Sequence, residues 1–150
     1  MGTIVVGVDG SAGSIEALRF ALDEARLRGA EVRAVNAWRI LPLAYETGWA
    51  GVADDLGEYP KLARAALDQA LAVAGAADSG VAVTTIVREG QAAQILCAEA
   101  DGAELLVVGS RGHGGFLELL LGSVSQQCAH HAPCPVTIVP NASASGAAVP

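Results

Sequence analysis

The sequence predicts an α/β fold with a single doubly wound parallel sheet and helices on both of its faces. Five short segments rich in β-branched and apolar residues alternate with four segments of helical periodicity. This alternation is typical of parallel strands joined by helical crossovers. Right-handed crossovers then place helices on both faces. The strands are almost continuously apolar, as expected for a sheet that is covered on both sides.

Composition limits the classes of function. The chain has 150 residues, 52% of them hydrophobic, which suits one domain with a substantial core. Its net charge of -7 disfavours a nucleic-acid partner, because DNA and RNA present a surface of phosphates. The sequence lacks an apolar run of about 18 residues and a signal-peptide pattern, and its three cysteines suit a reducing compartment. We therefore expect a cytoplasmic protein with no membrane partner.

The first strand and first helix are the clearest elements. TIVVGVD, at Thr3–Asp9, is short and nearly all apolar, which predicts a buried strand. From Ser14 onward, apolar residues recur at every third or fourth position, with charged residues between them. This spacing predicts an amphipathic helix that ends at Gly29 and is capped at its start by Ser11 or Ser14.

The middle of the chain repeats the pattern twice, with one long interruption. A second strand is predicted at Ala30–Trp38 and a third at Val81–Glu89. Between them, Arg39–Tyr59 contains proline and glycine and is expected to be a long irregular connection, which in a compact domain is usually functional or mobile. Helices are predicted at Lys61–Ala77 and Ala92–Ala100.

The last part of the chain contains a strand, a glycine-rich segment, a helix and a final strand. The fourth strand is predicted at Ala103–Ser110 and the fourth helix at Gly122–Ala132, where Pro133 ends it. The fifth strand is predicted at Cys134–Pro140. We expect residues 1–140 to form the domain and residues 141–150, which are small and polar, to be a flexible tail.

The glycine-rich segment points to anion binding. Its spacing is Gly109, two residues, Gly112, nine residues, then Gly122 and Ser123. The last two open a helix whose first amides have no partner within the helix, and such amides bind phosphates. Hydroxyl groups in the first turn and the positive charge of Arg111 would add to this site. The alternative is a flexible surface loop in which glycine only permits turning.

Asp9 is the second candidate for ligand binding. It ends an apolar strand at the carboxyl edge of the predicted sheet. There a carboxylate can accept hydrogen bonds from ribose hydroxyls or an adenine amino group; the alternative is an aspartate that caps the following helix or stabilises the turn before Gly10. The loops after strands one and four lie side by side in a doubly wound sheet, so Asp9 and the glycine segment are expected to share one site.

These motifs resemble the universal stress protein family, in its ATP-binding branch. The resemblance rests on Gly109-x2-Gly112-x9-Gly122-Ser123, on VVGVDGS near the start and on HAPCPVTIV near the end, and it runs from about Thr3 to Val139. It implies a five-stranded sheet in the order 3-2-1-4-5 and a homodimer formed through the last strand. It also implies ATP, with Mg²⁺, held at the carboxyl edge of the sheet.

The same resemblance implies a role for each candidate binding residue. Asp9 would contact the nucleoside, and the main chain of Ala37 would contact adenine. Gly109 and Gly112 would line the ribose and triphosphate, the start of the fourth helix from Gly122 to Ser125 would hold the phosphates, and Gly7 would pack close to the nucleotide. The full set is Gly7, Asp9, Ala37, Gly109, Arg111, Gly112, Gly122, Ser123, Val124 and Ser125.

The sequence favours a regulatory ATP-binding protein over an enzyme. No lysine lies near the glycine segment, whereas phosphoryl transfer normally needs positive charge on the γ-phosphate. The alternative is a slow ATP-hydrolysing or adenylating enzyme of the same fold. A zinc site at Cys128, His130, His131 and Cys134 is disfavoured, because the spacing matches no zinc signature. We expect Cys128 to be buried and the two histidines to end a helix.

Overall fold

The computed structural model describes residues 1–39, 58–111 and 121–141. Strands and helices alternate in this part of the chain, which confirms the predicted α/β class. One short 3₁₀ helix, Ala76–Asp78, follows the second α-helix. The strands are β1 (Thr3–Gly7), β2 (Glu31–Trp38), β3 (Val83–Glu89), β4 (Leu105–Gly109) and β5 (Val136–Val139), and the helices are α1 (Ala12–Arg28), α2 (Glu58–Ala74), α3 (Ala92–Glu99) and α4 (Ser123–His131).

The five strands form one parallel sheet in the order β3-β2-β1-β4-β5. This is the order that the resemblance implies. The chain moves outward from β1 to β2 and β3, then returns to the other side of β1 for β4 and β5. The carboxyl ends of β1 and β4 therefore flank the point where the strand order reverses, which is where ligands bind in sheets of this type.

Each face of the sheet carries its own hydrophobic core, as the apolar strands predict. Side chains alternate along a strand, so that Ile4 and Val6 face one side and Val5 faces the other. On the first side, α1 and α2 contribute buried residues such as Leu18 and Leu67. On the second side, the core contains Leu96 of α3 and Cys128 of α4 together with Val35, Leu106 and Val108 of the sheet.

Helix α1 begins two residues before the predicted start. Ser11 is its N-cap, and the hydroxyl of Ser11 accepts a hydrogen bond from the Ser14 amide at 3.2 Å. Ser11 is therefore the capping residue of the two candidates. Gly29 ends the helix in the left-handed conformation, with φ of 65°, as its position predicts.

Helix α2 begins three residues before the predicted start, because it includes Pro60. Proline is tolerated in the first turn, where a backbone N–H would have no acceptor within the helix. Glu58 and Tyr59 therefore belong to α2 rather than to the predicted connection Arg39–Tyr59.

Residues 40–57 of that connection and residues 142–150 of the predicted tail lie outside the described residues. Among the described helices, none is long and apolar enough to cross a membrane.

Candidate functional site

Three predicted parts of the site meet at the carboxyl edge of the sheet: the β1–α1 turn, the end of β4 and the start of α4. The Gly122 amide donates to the Ser110 carbonyl at 2.7 Å, which holds the start of α4 against the end of β4. The Ser110 amide in turn donates to the Val139 carbonyl at 2.9 Å. The hydrogen bond between Gly122 and Ser110 forms a clasp between α4 and β4. It holds residues 110 and 122 next to each other at the carboxyl edge of the sheet.

Asp9 organises the β1–α1 turn. One of its carboxylate oxygens, Oδ1, accepts hydrogen bonds from the Ser11 amide at 2.9 Å and from the Ser11 hydroxyl at 2.5 Å. These contacts form an aspartate turn, which was the structural alternative at this position. The structure places Asp9 at the predicted edge with this turn-forming role, and its contact with a nucleoside stays a prediction.

Gly109 lies against the first turn of α1. A Cβ atom at this position would be 2.9 Å from the Gly13 carbonyl oxygen, and a Cβ at Gly13 would be 2.9 Å from the Arg111 carbonyl oxygen. Both neighbours are backbone atoms, so neither can move aside easily. Sequence reasoning missed Gly13, because a glycine inside a helical pattern carries no signal unless its packing partner is known.

Among the described residues, no side chain caps the N-terminus of α4. Gly122 is the N-cap residue, with extended backbone, and therefore offers no oxygen to the amides of the first turn. Ser123 is exposed and Val124 is half-buried. Ser125 is only 1% exposed, and its hydroxyl lies within hydrogen-bonding distance of the Gly122 carbonyl at 2.9 Å and the Ser110 carbonyl at 3.2 Å. As placed, the Ser125 hydroxyl supports the clasp between α4 and β4.

A pocket of about 260 Å³ lies beside this helix end, between β2, α3 and α4. Its lining combines small and apolar residues with the polar side chains of Arg39, Gln91, Ser123 and Gln127. It brings together the predicted residues Ala37, Ser123 and Val124 with others that sequence reasoning missed. The lining residues are Ala37, Arg39, Gly90, Gln91, Ala92, Ala93, Ser123, Val124 and Gln127.

The remaining candidates differ in their surroundings. A Cβ atom at Gly7 would be 2.9 Å from Leu96 Cδ1, so a side chain there would point toward helix α3. The Nε atom of Arg111 is buried and has no hydrogen-bond partner among residues 1–39, 58–111 and 121–141, so within these residues it is a charged donor without an acceptor. Gly112 lies outside the described residues, and its role stays a prediction.

The cysteine and histidine residues near the end of the chain have structural positions. Cys128 is fully buried, and burial, with Cys97 beside it, raises the pKa of its thiol from 9.0 to about 12. It is therefore protonated and unreactive at neutral pH. His130 and His131 are exposed in the last turn of α4, where positive charge suits the helix dipole. These positions confirm the expectation for both residue types.

Comparison with known proteins identifies the family. The family model described as "Universal stress protein family" matches residues 1–140. The universal stress protein Rv2623 of Mycobacterium tuberculosis (strain ATCC 25618 / H37Rv) is 36% identical over 135 residues, which are 90% of this chain and 44% of that protein. This chain therefore spans about half the length of the curated relatives that it matches.

Solved structures agree in fold. The universal stress protein UspA from Lactobacillus plantarum is 21% identical, with a TM-score of 0.76 over 92% of this chain and 97% of that chain. A universal stress protein described as a crystal structure in complex with cAMP is 28% identical, with a TM-score of 0.65 over 92% of this chain and 95% of that chain. The match of the family model over residues 1–140 shows that the chain belongs to the universal stress protein family.

Proposed function

We propose that this stress protein is a regulatory ATP-binding protein that holds ATP, with Mg²⁺, at the carboxyl edge of its sheet. The observation that carries the proposal is the uncapped N-terminus of α4, which opens beside a pocket of about 260 Å³. Helix amides without partners bind phosphate oxygens, and the helix dipole favours the negative charge. The amides of Ser123 and Val124 and the exposed hydroxyl of Ser123 are the groups that would hold the phosphates.

Three further features support a nucleotide as the ligand. None of the described residues accepts a hydrogen bond from the buried Arg111 Nε, and an anion would supply that acceptor. Ala37 lines the pocket at the end of β2, where its main chain would meet the base. Asp9 follows β1, the strand beside β2, and would contact the nucleoside. The relative of 28% identity that was solved with cAMP supports the nucleotide class for this chain as well.

The proposed role is binding rather than turnover. The chain's single lysine, Lys61, lies in the first turn of α2, on the face of the sheet opposite to α3 and α4. ATP-hydrolysing sites usually place a lysine on the terminal phosphates. A slow ATP-hydrolysing or adenylating activity is the second candidate. We also propose that the protein works in the cytoplasm as a homodimer assembled through β5, the outer strand beside β4.

We expect the purified protein to bind ATP with a dissociation constant in the micromolar range, about 8 kcal/mol of binding free energy. Calorimetric titration with ATP and Mg²⁺ measures it, with adenosine as the control that lacks phosphates. Because the α4 amides act on the phosphates, adenosine is expected to bind more weakly than ATP. Equal affinity for ATP and adenosine, or no heat with either, contradicts the proposed phosphate site.

We expect ATP turnover to be far slower than the roughly 1–10³ s⁻¹ of dedicated enzymes. Phosphate release measured with saturating ATP and Mg²⁺ tests this directly. If phosphate is released at a rate within this range, and if the release is lost in a variant that no longer binds ATP, the protein is an enzyme rather than a binding protein.

A further inference from the structure

Two glutamine side chains join across the wall of the pocket. The Nε2 atom of Gln91 donates a hydrogen bond to Oε1 of Gln127 at 2.9 Å, although the residues are 36 positions apart. Gln91 is the N-cap residue of α3, but its side chain does not cap that helix. Gln127 lies in the second turn of α4, one turn beyond Ser123. Both residues are half-buried, and both line the pocket.

This hydrogen bond determines which groups the pair offers to a ligand. Because the Gln127 oxygen accepts the bond, the Gln127 amino group is left as a donor. Because the Gln91 amino group donates, the Gln91 oxygen is left as an acceptor. Neither group makes another hydrogen bond within the part of the chain that the structure describes. The pair therefore presents one neutral donor beside one neutral acceptor.

A neutral donor–acceptor pair suits a nucleobase better than a phosphate. Adenine presents an acceptor, N1, next to an amino donor, N6, and glutamine amides pair well with such edges. Ala37, the proposed main-chain contact to the base, lines the same pocket. The phosphate-binding amides at Ser123 lie about 6 Å along α4 from Gln127, at 1.5 Å per residue. The pocket thus combines a polar wall, formed by the two glutamines, which suits the base, with the N-terminus of α4, which suits the phosphates.

We propose that Gln91 and Gln127 are specificity-determining residues that recognise the N1–N6 edge of adenine. This inference rests on the proposed nucleotide binding. Gln127 donates to N1, and Gln91 accepts from the N6 amino group. Hypoxanthine presents the opposite pattern, with a donor at N1 and an acceptor at position 6. The bound pair therefore discriminates ATP from inosine triphosphate, which carries the same sugar and phosphates.

The test compares the affinities for ATP and inosine triphosphate by calorimetry. The wild-type protein is expected to prefer ATP by about tenfold, the effect of one or two neutral hydrogen bonds. Gln127→Leu is expected to lower the affinity for ATP by about tenfold and to leave that for inosine triphosphate nearly unchanged. A pair that only holds the two helices together would weaken both ligands equally in this variant, and that result overturns the proposal.

Gln91→Glu provides a second variant. A carboxylate only accepts, so Gln127 must turn its amino group toward position 91 and present its oxygen to the ligand. Each base then has one matched and one opposed contact, since the carboxylate accepts from N6 of adenine but repels the oxygen at position 6 of hypoxanthine, and the preference for ATP is expected to shrink. Gln94→Leu is the matched control, because Gln94 is an exposed glutamine of α3 outside the pocket, and it should keep the wild-type ratio.

The outcomes separate the two proposals. If the wild-type protein binds neither nucleotide, the proposed function is wrong, and the inference fails with it. If ATP binds but the ratio of the two affinities is the same in the wild type, Gln127→Leu and Gln91→Glu, only the role of the glutamine pair is wrong. Thermal melting of each variant without ligand confirms that the comparison is made between folded proteins.

Discussion

Gly122→Val is expected to weaken ATP binding by at least about 100-fold while the protein stays folded. Gly122 is the N-cap of α4, and an N-cap side chain extends over the amides of the first turn. Valine offers no oxygen to these amides and fills the space that a phosphate would need. Two hydrogen bonds to a charged phosphate, at about 1.5 kcal/mol or more each, account for the expected loss.

The substitution introduces no backbone strain, because Gly122 has φ of -71°, a conformation open to any residue. Calorimetry with ATP measures the loss, and circular dichroism with thermal melting verifies the fold. Ala129→Val is the control, because it places the same side chain at an exposed position of the same helix. Wild-type affinity in Gly122→Val would mean that the phosphates do not bind at the start of α4.

Gly109→Ala is expected to destabilise the protein by about 1–3 kcal/mol, the usual effect of forcing an extra methyl group into a packed site. The new Cβ would lie 2.9 Å from the carbonyl oxygen and 3.0 Å from the carbonyl carbon of Gly13. These are backbone atoms of the first turn of α1, so either α1 or the end of β4 must shift. In a domain of this size the melting temperature would fall by about 2–4 °C for each kcal/mol.

Gly7→Ala is the matched comparison for this prediction. Gly7 and Gly109 are the last residues of adjacent parallel strands, and a Cβ at Gly7 would also meet an atom at 2.9 Å. That atom is Cδ1 of Leu96, the end of a flexible side chain that can rotate away. Gly7→Ala should therefore cost less than Gly109→Ala in thermal or denaturant unfolding. A cost at Gly109 no larger than that at Gly7 contradicts the backbone contact.

The fold was largely predictable because its signals are local. The apolar strand segments, the helical periodicity and the N-cap at Ser11 all depend on neighbours in sequence, and each lies where the sequence predicts it within a few residues. The start of α2 was missed because Pro60 looks like a helix breaker until its place in the first turn is known.

The candidate site was predictable only in part, because its remaining members are defined by contacts between distant segments. Gly122 and Ser123 carry a spacing motif, and the structure places them at an uncapped helix start. Gln91 and Gln127 carry no motif, since a glutamine on a helix is ordinarily a solvated surface residue. Only their hydrogen bond across the pocket distinguishes them. Gly13 was missed for the same reason, because its partner is almost 100 positions away.

The clasp between Ser110 and Gly122 has a consequence for how this protein can change. The Gly122 amide and the Ser110 carbonyl hold positions 110 and 122 together at the carboxyl edge of the sheet. Lengthening a flexible loop between two fixed ends costs only about 0.6 kcal/mol for each doubling of its length. Insertions between these two positions are therefore expected to leave β4 and the start of α4 in place, so that the sequence there can vary without changes in the sheet.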